Sequence, residues 1–578
     1  MRRILTTLLF ASLLAAGTQA QTLDPTDYIY PIRNVDGSCS ANFGEMRPGH
    51  FHAGVDIRTG GAEGKPLVAV ADGYVSRLYL SSGGYGRAIY IALANGTTAV
   101  YGHMQCFRDD IEEYVRNERY ARRANRLDLY FTPDVWPVRQ GDIIGYSGNS
   151  GSSMGPHLHF EVRDTPTQRL YNPVHEGIIR PTDTLPPRIF RLHYVEVDTL
   201  PGTDLCLRST PCTHQTKVER PGHYRLQRTE PVEVGRKGYF VAEVSDRRNG
   251  VNNTFGIWRL TAWVDDERVF EYRMDGFTFD LSRCCDAISC YPLQIASRNE
   301  CIRLAQLATA PDCFYSALTE RGILRTEPGQ IRHIRIEAED DSGNISHLHF
   351  DVRGRTGQFR AEADSTAKIV RPDTPTTISS GPGMRARIPA GAVYETIYCR
   401  PEQLPAPQAD SGIVVLSPAY RILPATIPLR RAATISIRAD VPHHLQLRAS
   451  LAKKSAKGRV TYIGGHYADG AVTARTTSTD GLFVVADTLP PRITPLFKSG
   501  ADLSKTPELR FRVSDNFSGI ASASLVIDGA WVPCDRYPMQ SRLIHRFDTP
   551  ACGRKHTVHL TLRDGAGNTT HWEGSFYR

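Results

Sequence analysis

Gly155-Pro156-His157-Leu158-His159-Phe160-Glu161 runs from turn-forming residues into alternating polar and apolar side chains. Residues i and i+2 of a strand point to one face. His157 and His159 can therefore present two imidazoles to one metal centre. Further back, His52-Ala53-Gly54-Val55-Asp56 places a His and an Asp four apart around a glycine, where a turn lets both side chains converge. His103 lies between them in Tyr101-Gly102-His103. A catalytic zinc site needs three protein ligands and one open position for water. Three of these five residues suffice to hold a metal, and two remain for proton chemistry. Two His and one Asp would leave a net +1 centre, still able to acidify bound water and polarise a carbonyl. A spare His can accept the water proton or hydrogen-bond a developing oxyanion.

Working outward, residues 67–71, 88–93 and 98–101 read as strands, with Gly60-Gly61, Gly83-Gly84 and residues 148–155 as turns. One stretch breaks the β pattern. Residues 109–129 are rich in Glu, Arg and Ala, with Ile111, Tyr114 and Val115 at helical spacing, and read as a helical insertion rimming the cleft.

At 578 residues the chain is too long for one ordinary domain; about 150 residues per domain suggests roughly four. Hydrophobic content of 40% and charge content of 22% exclude wholesale disorder. The chain also repeats itself. Asp183-Thr184-Leu185-Pro186-Pro187-Arg188-Ile189 recurs as Asp487-Thr488-Leu489-Pro490-Pro491-Arg492-Ile493. Val244-Ser245-Asp246 matches Val513-Ser514-Asp515, and Asp340 with Gly343-Asn344 matches Asp564 with Gly567-Asn568. Alternating runs such as 509–513 and 556–562, closed by Asp/Gly/Asn turns, indicate immunoglobulin-like β-sandwiches. The first copy carries two Cys-bearing insertions. The expected fold is mainly β: a small antiparallel-β domain with a helical insertion (21–178), a sandwich (183–354), a linker and β-domain (355–486, linker through Gly383) and a second sandwich (487–578).

The first 20 residues read as an export signal: Arg2 and Arg3, an apolar run over 4–16, and small residues ending at Ala20. No later segment offers the roughly 20 apolar residues of a membrane span. The expected location is outside the cytoplasm, in a periplasm or at the cell surface. Export makes the 12 Cys readable as disulfides. Cys206 with Cys212 and Cys534 with Cys552 can each close a local loop; Cys39 and Cys106 can bridge the first domain; Cys284, Cys285, Cys290, Cys301 and Cys313 allow several pairings; Cys399 has no evident partner. The net charge of +8 is mild, and no basic run with interleaved aromatics points to nucleic acid.

Taken together, His-x-Gly-x-Asp at 52–56, Pro66-Leu67-Val68-Ala69-Val70-Ala71-Asp72-Gly73, Tyr-Gly-His at 101–103 and Gly-Pro-His-Leu-His-Phe-Glu at 155–161 resemble the LytM/lysostaphin-type zinc metallopeptidases. The resemblance covers about residues 40–175. Family members cut peptide cross-links of bacterial peptidoglycan on a small β-rich fold. The resemblance implies one zinc ion on His52, Asp56 and His159, and catalytic roles for His103 and His157. The sequence departs from minimal members in the insertion after His103, which bears on cleft shape and substrate choice.

Other histidine patterns are weaker. Ser346-His347-Leu348-His349-Phe350-Asp351 imitates the last motif but lacks the Gly-Pro lead. His175-Glu176 fails as HExxH because Ile179 stands fifth. The expectation is an exported zinc endopeptidase acting on peptidoglycan cross-links. Its β-domains would position the enzyme and offer surfaces to protein partners. Two alternatives stay open: a non-catalytic wall- or partner-binding protein, and a zinc peptidase for a non-wall protein. Metal content and turnover separate them.

Overall fold

The computed structural model describes residues 23–578 other than 200–205, 358, 361, 363, 365 and 456; the expected export signal lies outside the described residues. The N-terminal domain is built on an antiparallel sheet. In chain order its strands and helix are β1 (Cys39–Ala41), β2 (Val55–Arg58), β3 (Gly73–Leu80), β4 (Arg87–Leu93), β5 (Thr97–Gly102), α1 (Asp109–Arg122), β6 (Leu127–Tyr130) and β7 (His157–Asp164). The spatial order is β1-β2-β7-β5-β4-β3-β6. Every residue of β4 and β5 is buried, because both faces of the sheet centre are covered. At the edge, β6 alternates buried Leu127 and Leu129 with exposed neighbours, the pattern of a strand with one wet face.

The helical insertion is shorter than its sequence suggests. Arg123 adopts φ 47° and ψ 49°, which ends α1, and Leu127 and Leu129 then pair with β3 instead of continuing the helix. Nor does α1 rim the cleft. Its buried residues include Arg119, and the C-terminal β-domain docks on it. Arg119 Nη2 donates to the Cys534 carbonyl (3.0 Å), Tyr120 Oη to Asp548 Oδ2 (2.7 Å), and the Cys534 amide to Asn125 Oδ1 (2.8 Å). Asp535 sits between Arg119 (2.9 Å) and Arg87 (3.2 Å).

The next β-domain is joined to the N-terminal one more closely than two beads on a string. Its Gly276–Phe277 strand pairs with Leu170–Tyr171 and so extends the first sheet. One apolar core runs through both, from Phe43 and Phe51 to Phe277 and Phe314. The body of this domain is a wrapped sheet in which Arg188–Thr199, Lys237–Ser245, Ile331–Glu339 and Ile345–Gly354 are the long strands.

Residues 368–380, read from composition as linker, form the strands Lys368–Val370 and Thr376–Ser380. Thr376–Ser380 edges a five-stranded sheet that faces a six-stranded one over a separate core. Ile378, Met384 and Ile388 are buried there at alternating positions, a period that outweighs Pro and Ser content. The C-terminal domain packs a four-stranded sheet on a five-stranded one.

All twelve cysteines are thiols. Cys212 lies opposite Tyr194 and Cys206 opposite Thr199 on one strand. Five residues of strand separate them by about 16 Å, beyond the roughly 7 Å a disulfide spans, so the expected local loop is not closed. Cys290 and Cys301 do lie side by side, the Cys290 amide donating to the Cys301 carbonyl (2.7 Å). No helix among the described residues is long and apolar enough to cross a membrane.

Candidate metal centre

Strand register assembles the site. His159 on β7 lies opposite Asp56 on β2 and opposite Gly102 on β5. Asp56 and His159 therefore share a face, and His157, two residues earlier on β7, shares it too. His52 precedes β2 and reaches back because Gly54 lets the chain press against β7. A side chain at Gly54 would collide with the Phe160 carbonyl and with Glu161. His103 leaves β5 with φ 60°, a conformation that costs a non-glycine residue energy and persists only when its surroundings hold it. Here the His103 amide donates to the Tyr85 carbonyl (2.8 Å).

All five sequence-selected residues meet in one place. His52, Asp56 and His159 each offer a donor atom within 4.8 Å of the others. Asp56 Oδ1 lies 3.1 Å from His52 Nε2 and 2.8 Å from His159 Nδ1, and the two imidazole nitrogens are 3.1 Å apart. Zinc bonds of about 2.0–2.2 Å in a tetrahedron would set donors roughly 3.3–3.5 Å apart. The trio fits zinc after a small outward relaxation. His157 Nε2 is 3.6 Å from Asp56 Oδ1, and the His103 ring centroid lies 4.7 Å from that of His157.

The outer contacts fix which nitrogen each ring turns inward. His52 Nδ1 is held by the Asn42 carbonyl (2.8 Å), leaving Nε2 for a metal. His159 Nε2 meets Glu161 Oε1 (2.8 Å), leaving Nδ1. His103 Nδ1 meets the Ser150 carbonyl (2.9 Å) and His157 Nδ1 the Gly155 carbonyl (2.8 Å), so neither has its Nε2 tied up by these bonds. Such partners orient a ligating imidazole and fix its tautomer.

Electrostatics agrees with a cation-binding centre. Burial lowers the His52 pKa against the pull of Asp56, favouring the neutral form that binds metal. Burial would raise the Asp56 pKa, yet His52 and His159 hold it well below the usual carboxylate range. His159 is opposed by burial but raised to about 9 by hydrogen bonds to Asp56 and Glu161. Burial, aided by His157 and His159, pushes His103 down to about 3, so it is neutral at physiological pH.

Sequence reading gave Glu161 no role, although its spacing from His159 repeats the two-residue period that placed the histidines. It also missed Tyr85, which donates to Glu161 Oε1 (2.5 Å), and Arg47, which donates to Asp56 Oδ2 (3.3 Å). No local pattern marks either. The site lies in a cleft of about 1050 Å³. One wall belongs to the following β-domain, through Asn253, Phe279 and Ser282. That domain also braces the residue that holds His52: Asn42 exchanges two hydrogen bonds with Gly256, at 2.9 and 3.1 Å.

Residues 50–119 match peptidase family M23, and residues 369–487 match a Zu5-like domain. The chain is 33% identical over 113 residues to the DD-carboxypeptidase/endopeptidase Mpg of Neisseria meningitidis serogroup B, covering 20% of each protein. It is 32% identical over 118 residues to an uncharacterized metalloprotease of Haemophilus influenzae, covering 20% of this chain and 19% of that one. These matches span about a fifth of the relatives' own lengths. Among solved structures, the catalytic domain of the prophage-encoded M23 protein EnpA from Enterococcus faecalis is similar at 28% identity. That likeness covers 23% of this chain and 87% of that one, with a TM-score of 0.18. The N-terminal domain is thus a LytM-type, M23-family metallopeptidase domain.

Proposed function

We propose that this LytM-type domain is a working zinc endopeptidase, exported and directed at the peptide cross-links of bacterial peptidoglycan. The chain is read as that domain, 21–178, carried by three β-domains, 183–354, 355–486 and 487–578. The observation that carries the proposal is the convergence of His52 Nε2, Asp56 Oδ1 and His159 Nδ1, with two further imidazoles beside them. A bound zinc ion would supply a Lewis acid for the scissile carbonyl and a lowered pKa for water.

The remaining work falls to side chains. Asp56, His52 and His159 would hold the ion, with Glu161 and the Asn42 carbonyl fixing the two rings. His103 and His157 have their Nδ1 atoms occupied by backbone carbonyls, so proton traffic is left to Nε2. One takes the proton of the attacking water and the other donates a hydrogen bond to the developing oxyanion. The leaving amine then receives the proton. The wall-peptide substrate is supported by the likeness to Mpg, whose name gives both carboxypeptidase and endopeptidase action. In an exported chain, Cys290 and Cys301 are one pair placed to oxidise.

The test is digestion of purified peptidoglycan by the zinc-loaded chain, with mass analysis of released muropeptides. Release of cross-link cleavage products is expected. Zinc-loaded protein that releases none, while cleaving an unrelated peptide, would favour a non-wall substrate.

A further inference from the structure

The three aspartates that recur in the two sequence repeats converge in space in both copies. In the first repeat Asp183, Asp246 and Asp340 bring carboxylate oxygens within 4.8 Å of one another; in the second Asp487, Asp515 and Asp564 do the same. Asp183 lies in the connector entering the first repeat, and Asp487 at the junction entering the second. The other two members of each trio sit at the ends of long strands.

Two members of each trio are held alike. Asp340 Oδ1 accepts from the amides of Ser342 and Asn344 and its Oδ2 from Asn344 Nδ2. Asp564 Oδ1 accepts from Ala566 and Asn568 and its Oδ2 from Asn568 Nδ2. Asp183 Oδ1 caps the Leu185 amide and Asp487 Oδ1 the Leu489 amide. In the second repeat the amides of Ser518, Phe517 and Gly519 donate as well, to Asp487 Oδ2 (3.3 Å) and to Asp515 Oδ2 (3.0 and 2.8 Å); the first repeat is left less satisfied. Asp246 is fully buried, yet neither of its oxygens has a hydrogen-bond partner. Asp183 Oδ2 and Asp515 Oδ1 are also unpartnered.

Buried carboxylates facing one another without donors are costly unless a cation joins them. Arg248 does not fill that role in the first repeat. Its Nη2 engages both oxygens of Asp341 (2.6 and 2.8 Å), and only its Nε approaches Asp183, at 3.9 Å. In the second repeat burial raises the Asp487 pKa, but hydrogen bonds from Ser518 and Leu489 oppose it, and Asp515 is only half-buried, so that trio lacks the same demand for a cation. Burial, with Asp340 and Asp183 adding, pushes the Asp246 carboxyl up to about 9, the mark of a missing counter-charge.

We propose that Asp183, Asp246 and Asp340 form a calcium site that fastens the connector at Asp183 to the β-domain it enters. All donors are oxygens, which selects a hard cation over zinc. Calcium bonds of about 2.3–2.6 Å in a flexible six- to eight-coordinate shell suit oxygens at this spread, whereas magnesium demands a tighter octahedron. The site rests on different residues from the zinc centre and stands whether or not that reading holds.

The experiment is equilibrium dialysis of the full zinc-loaded chain against radioactive calcium, up to about 1 mM, the weak range of extracellular sites. Wild type should hold one calcium equivalent. Asp246→Asn should lose it and Asp515→Asn should keep it, with unchanged far-ultraviolet circular dichroism as the check on folding. Wild type that binds no calcium at that concentration, or an Asp246→Asn protein that keeps the equivalent, overturns the proposal.

Discussion

Asp56 and His159 face each other across neighbouring antiparallel strands, Oδ1 to Nδ1 at 2.8 Å. One pair of the candidate ligands is thereby set by strand register, so the candidate metal centre inherits the rigidity of the sheet centre and not the mobility of a loop.

That register depends on Gly54. Gly54→Ala puts a methyl group against the Phe160 carbonyl, and β2 must lift from β7 to admit it. Overpacking of this kind costs about 1–3 kcal/mol. A lower urea midpoint and weaker zinc retention are expected; a variant with wild-type values for both would show that the contact is slack.

Glu161 acts through His159. Glu161→Gln keeps an oxygen for Nε2 but removes the charge that strengthens the ring as a ligand. Zinc affinity should fall by about 10–100-fold. Competition with a chromophoric chelator reads this directly, and restored turnover at high zinc would separate positioning from chemistry.

The β-domain beside the cleft should contribute to substrate binding. Phe279 is a partly exposed aromatic on the cleft wall, 45% accessible, with the Arg163 guanidinium 4.7 Å above its ring. Phe279→Ala should raise KM several-fold while leaving kcat and zinc content near wild type, the signature of lost uniform binding. An unchanged KM would remove this domain from substrate recognition.

Docking of the last domain hinges on Asp535. Burial would raise its pKa, but Arg119, Arg87 and Arg546 outweigh burial and hold it well below the carboxylate range. A carboxyl depressed in the folded state stabilises above its unfolded value of about 3.9 and loses that contribution as pH falls toward the folded value. Docking should hold from neutrality to about pH 4 and weaken below. Asp535→Asn should cost about 3–5 kcal/mol, since it strands buried Arg charges, and should flatten the acid dependence. Calorimetry would show the last domain melting separately; one unshifted transition would contradict the account.

The candidate site was legible in sequence because its signals are local: His157 and His159 follow the strand period, and His52 and Asp56 bracket a glycine. The helix was legible to Arg122, where a left-handed Arg123 ends it, but alternating Leu127 and Leu129 needed β3 to become a strand. Strands at 368–380 hid behind Pro and Ser. The pairing of Gly276–Phe277 with Leu170–Tyr171 is two residues long and carries no periodic signal. Contacts such as Arg119 with Asp535 join residues more than 400 positions apart, beyond any pattern in one sequence. The recurring aspartates were visible as a repeat, but not their convergence.

The most direct test measures zinc content and peptidoglycan hydrolysis on the same preparations of wild type, His159→Ala and His103→Ala. Wild type should hold one zinc equivalent and turn over. His159→Ala should lose both. His103→Ala should keep the zinc and lose about 10²–10⁴-fold in turnover. Full hydrolysis by either variant, or a His159→Ala protein that keeps its zinc, would contradict the assignment of three ligands and two proton-handling histidines.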